Sequence, residues 1–133
     1  MAKGFSFQGK TLEELRALSV QEFARFVNSR ARRSLLRGFD KQFDKKIDAA
    51  LAEKAKGREP KPVRTHLRDA IVVPKMVGLK IAVHRGNTFE VVEVKQEMLG
   101  HYLGEFSLTR KKLMHGKAGI GATKSSTAIT ARG

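Results

Sequence analysis

The sequence predicts an α+β fold: N-terminal helices, a small antiparallel sheet of about three strands, and an extended basic C-terminal tail. Three observations predict it. In the first 60 residues the apolar positions recur at spacings of three and four, the period of a helix face. After a break at Gly57-Arg-Glu-Pro-Lys-Pro62 they gather instead in short β-branched runs. Beyond Thr109 the chain carries six Lys or Arg and no Asp or Glu. The chain thus divides into a helical region (1–60), an α+β core (61–109) and a basic tail (110–133).

Each element has its own signal. Thr11-Leu-Glu-Glu14 and Ser19-Val-Gln-Glu22 fit capping boxes, a hydroxyl residue followed three later by Glu, so helices should start at both. The second box opens a stretch in which Val20, Phe23, Val27, Ala31 and Leu35 keep to one face, predicting one longer basic helix that Gly38 ends. Phe39, Phe43, Ile47 and Leu51 repeat at fours and predict a third helix that closes near Lys56. The expected strands are Ala70-Ile-Val-Val73, Leu79-Lys-Ile-Ala-Val83 and Thr88-Phe-Glu-Val-Val-Glu-Val94. His84-Arg-Gly-Asn87 is the expected hairpin loop, with Gly86 at positive φ. In the last strand Phe89 and Val91 alternate with Val92 and Val94, which leaves its facing open. A short turn or helix follows through Met98 and Leu99, punctuated by Gly100 and Gly104.

Charge limits the function classes. With 27 Lys and Arg against 13 Asp and Glu, the formal charge is +14. Self-repulsion of that size disfavours a compact state unless a polyanion compensates it, so nucleic acid or an anionic membrane surface is implied. Membrane-surface binding would set aromatic residues opposite a basic stripe; Phe23 and Phe26 could serve, but core packing is the simpler use of Phe23. No run approaches the ~20 apolar residues of a membrane span, and the N-terminus lacks the apolar stretch of a signal peptide. There is no cysteine, hence no disulfide or thiolate metal site. The expectation is a soluble cytoplasmic protein that binds a polyanion.

Two clusters carry that charge. Arg30, Arg33 and Arg37 share a helix face, with no acid between Glu22 and Asp40 to pair them locally. The competing reading is an ordinary solvated face. Arg64, Thr65, His66 and Arg68 lie between the break and the first expected strand; guanidinium groups there can fork onto phosphate or stack on bases, which suits RNA. Catalytic and cofactor motifs fail. His66, His84, His101 and His115 are too far apart for local ligand pairs. Gly116 and Gly121 mimic a phosphate loop, but Ala122-Thr123 intervene before Lys124-Ser125. No enzyme, metal or cofactor is expected.

Several strings are more specific than any of these signals. Arg64-Thr-His-Leu-Arg68, Pro74-Lys-Met-Val-Gly-Leu-Lys-Ile-Ala-Val-His-Arg-Gly86, Glu97-Met-Leu-Gly-His-Tyr-Leu-Gly-Glu-Phe106 and Thr109-Arg110 resemble the nineteenth protein of the small ribosomal subunit. The match runs from about Lys61 to Gly116, and the longer N-terminus and tail are similar to the archaeal and eukaryotic branch. The resemblance implies a non-enzymatic protein of the subunit head that binds ribosomal RNA beside the subunit's thirteenth protein. It also implies a tail reaching toward the transfer-RNA sites, with transfer RNA a further candidate partner. By position in the matched strings, RNA contact is expected at Arg64, Thr65, His66, Arg68, Lys75, Arg85, Asn87, His101 and Tyr102. In the tail it is expected at Arg110, Lys111, Lys112, His115, Lys117 and Lys124. Arg30, Arg33 and Arg37 have no counterpart in the short bacterial pattern and rest on charge alone. The alternative reading is a chromatin-type protein that lays the Arg30–Arg37 helix in a groove of double-stranded DNA; Gln21 and Asn28 are the only amides near it.

Overall fold

Capping chemistry starts the first two helices where the sequence expects them. The computed structural model describes residues 4–38 and 40–114. Helix α1, Leu12–Ala17, begins at a closed box: the Thr11 amide donates to Glu14 Oε2 at 2.8 Å while the Thr11 hydroxyl accepts from the Glu14 amide. Helix α2, Val20–Phe23, repeats the device with Ser19 and Glu22.

The longer helix expected to follow is broken in two. Helix α2 tightens into a 3₁₀ turn over Ala24–Phe26, Val27 and Asn28 are extended, and α3 restarts at Ser29–Arg37. Asn28 drives the restart: its Oδ1 accepts from the Ala31 amide at 2.9 Å, a strong N-cap. Arg32 serves the carbonyls that the break leaves without helical partners, donating to Ala24 at 3.1 Å and to Arg25 and Val27 at 3.4 Å. Phe23, Val27, Ala31 and Leu35 are nevertheless all buried. Gly38 ends α3 at a φ of 93°, as expected.

Helix α4, Lys41–Ala55, is capped by Asp40, whose Oδ1 accepts from Gln42 and Phe43 amides. Phe43 and Ile47 are buried and Leu51 half-buried, so the period of four is real; Phe39 lies outside the described residues.

The sheet has three strands, in the order β1 (Val63–Thr65), β2 (Lys80–His84) and β3 (Phe89–Glu93). The expected hairpin is present, β2 pairing antiparallel with β3. The first strand is not Ala70–Val73, however, and the sheet is mixed: β1 pairs parallel with β2, Arg64 opposite Ala82. The chain can return parallel because residues 66–79 form the crossover. Within it Ala70–Val73 is buried and extended, but it pairs with the segment at 100–103. Val72 donates to the His101 carbonyl at 2.9 Å, and Leu103 donates to that of Ala70 at 2.9 Å. Pro74, leading a 3₁₀ turn over Pro74–Met76, stops it there.

One core joins both halves. Leu15, Phe23 and Ile47 from the helices pack in the same cluster as Ile71, Ile81 and Leu103. Two glycines let the backbone close around it. Gly100 has a φ of 80°, and a Cβ there would stand 3.3 Å from Val27. At Gly104 a Cβ would lie 3.0 Å from the Arg68 carbonyl, so any larger residue would press the two chain segments apart by a few tenths of an ångström.

Candidate nucleic-acid interface

Strand alternation sorts the sheet into two faces. Val63, Ile81 and Val92, then Thr65 and Val83, point into the core. Arg64, Ala82 and Val91 form a row on the opposite face, and His66, His84 and Phe89 form the next. There the ring centroids of His66 and His84 are 4.4 Å apart. Phe89 meets His66 edge-on at 5.3 Å and His84 at 4.9 Å. The Arg64 guanidinium sits 5.5 Å from the Phe89 centroid. The two histidines are 18 positions apart in sequence, so spacing gave no sign that they touch; only the parallel pairing of β1 and β2 brings them together. Among the described residues, no group of three or more His, Asp or Glu forms a metal-binding set.

Arg30, Arg33 and Arg37 do line one site together. They border an open groove of about 520 Å³ whose opposite wall is Leu67, Asp69 and Tyr102. All three arginines are exposed, and none is within ion-pair distance of an acid among the described residues. The hairpin and the root of the tail form a second concavity, of about 640 Å³, lined by Arg85, Asn87, Phe106 and Arg110 to Lys112. Glu90 on its floor lies 3.7 Å from Arg85 and accepts from the Ser107 hydroxyl.

Other expected contact residues are engaged inside the fold. Arg68 donates to the carbonyls of His84 at 2.8 Å, Gly104 at 2.9 Å and Ser107, fastening the start of the crossover to the hairpin and to the root of the tail. Thr65 is buried, its hydroxyl accepting from the Leu67 amide. Lys75 pairs with Asp44 and Asp48 on α4. His101 Nδ1 bonds Glu105 at 2.8 Å, and the Tyr102 amide donates to the same carboxylate. Arg110, Lys111 and Lys112 are exposed; His115, Lys117 and Lys124 lie outside the described residues. No described helix is long and apolar enough to cross a membrane.

Comparison with known proteins identifies the family. The family model described as "Ribosomal protein S19" matches residues 32–115. Two curated relatives, both from strains of Halobacterium salinarum and both named "Small ribosomal subunit protein uS19", are 46% identical over 122 residues. The alignment covers 92% of this chain and 87% of each relative. The matched segment opens within α3 and contains the whole sheet, the crossover and the glycine-bearing segment that closes the core, and the chain belongs to the ribosomal protein S19 family.

Proposed function

We propose that the protein is a structural constituent of the small ribosomal subunit that holds ribosomal RNA across its basic surface. The observation that carries this is the concentration of cations around two open concavities, exposed Arg30, Arg33 and Arg37 at one and half-buried Arg85 with exposed Arg110 to Lys112 at the other. Concave, positively lined surfaces of this kind fit a phosphate backbone, and displacing its condensed counterions supplies the affinity. Arg68, Thr65 and Lys75 act in this reading as the frame that fixes the contacting residues. In the subunit head, the neighbour implied by the family resemblance is the thirteenth protein of the subunit, and the tail would extend toward transfer RNA.

The double-stranded DNA alternative loses ground on geometry. Helix α3 has only nine residues, and the Asn28 side chain that could read a base edge is committed to capping it. Competition binding at matched salt tests the choice. Fragments of small-subunit ribosomal RNA should displace duplex DNA of equal length; equal or tighter binding to random DNA would contradict the proposal.

A further inference from the structure

We propose that the outer face of the sheet is a stacking site for an unpaired RNA base, with Arg64, His66, His84 and Phe89 as its platform. The inference rests on the RNA-binding reading above and names the feature of the RNA that this surface takes. Side chains on the face of a sheet that turns away from the core have no partner layer to fill. Small or charged residues would suffice there, yet three rings and a guanidinium plane converge on one corner. Arg64 and His66 are exposed, His84 and Phe89 half-buried, and Val91 beside them is 53% exposed. The rings brace one another at centroid distances of 4.4 to 5.3 Å, so stacking a ligand on them costs little further side-chain freedom.

The charged group that stands over the rings at this corner is the Arg64 guanidinium. Glu90 points to the other side of β3, where Ser107 holds it, and Glu93 stands at the far end of the strand beside Lys80. Aromatic faces beside arginine are how single-stranded nucleic acid is held without regard to sequence, base by base. A paired base has both faces covered by its neighbours in the stack and cannot offer one; a base in a loop or bulge can. The occupant is therefore an unpaired nucleotide whose phosphate falls toward Arg64.

The test uses the full-length chain and two RNAs of equal length, one fully paired and one with an unpaired internal loop, titrated by fluorescence anisotropy at several salt concentrations. His66→Ala and Phe89→Leu remove planar rings and leave every Lys and Arg in place. Each should weaken binding to the looped RNA by about 5- to 100-fold and to the paired RNA by less than about two-fold, with the salt slope unchanged. His66 is exposed, so its Ala variant should keep the wild-type unfolding midpoint even if the Phe89 variant is less stable. Equal weakening on both RNAs, or no weakening of looped-RNA binding by His66→Ala, would overturn the stacking site. If the wild type prefers duplex DNA to both RNAs, the RNA-binding proposal fails first and this one with it.

Discussion

Arg64 and Arg68 look interchangeable in the sequence, four residues apart in one basic loop, but the fold gives them opposite duties. Arg68 satisfies three main-chain carbonyls, so Arg68→Ala should destabilise the protein by about 3 kcal/mol, since bonds from a charged donor are strong and half-buried acceptors would lose their partner. Arg64→Ala should cost no more than about 1 kcal/mol, the worth of its contact over Phe89, while weakening RNA binding. Denaturant unfolding of the two variants decides; similar losses of stability would contradict the division. Gly104→Ala should resemble Arg68→Ala, because the new methyl meets the Arg68 backbone and side chain at 3.0 to 3.3 Å. Glu22 provides a pH test. The amide and hydroxyl of Ser19 hold its carboxyl below the ordinary 4.5, so its capping contribution is present above that pH and is lost as pH falls through the lower folded value. The amide resonance of Ser19 should therefore titrate with a midpoint below 4.5, and a midpoint at or above it would show that the box is open in solution.

At the scale of elements, legibility followed how local the determining interactions are. Both capping boxes, the stops at Gly38 and Gly57 and the β2–β3 hairpin were readable because a few adjacent residues fix them. The break at Val27-Asn28 was missed because the apolar period runs straight across it; Asn28-Ser29 was the available sign, a cap residue in the middle of an apparently continuous face. Asn28→Ala should cost about 1 kcal/mol and lower helicity by circular dichroism, and no change would mean that Arg32 alone sets the break. Strand β1 was missed for the opposite reason. Its three residues carry no pattern of their own, and their parallel pairing is decided by a crossover that brings residue 63 opposite 81. Ala70–Val73 has strand composition but finds its partners at 100–103. The facing of β3, open in the sequence, is settled by Val92 and Val94 in the core and Val91 outside. Of the site, the α3 arginines and the tail root could be read from charge; the His66–His84–Phe89 cluster could not, because it exists only once three strands are in register.

For the whole molecule the governing quantity is the +14 charge, and it predicts how binding responds to salt. Truncation after Thr109 removes six cations, of which Arg110, Lys111 and Lys112 are exposed in the structure. For every phosphate that the shortened chain no longer neutralises, the plot of log affinity against log salt should flatten by about 0.7 to 0.9. With about three to five of the six engaged on RNA, the slope should fall by about two to four. The unfolding midpoint should barely move, since the core cluster ends at Leu103 with Phe106 against it. A truncation that melts the protein and leaves the slope intact would make the tail a packed element instead. Residence in the small ribosomal subunit is read by sedimentation. After a high-salt wash, the protein should travel through a sucrose gradient with small subunits. Its recovery in the soluble fraction at the top of the gradient, or in a DNA-containing fraction, would contradict the account.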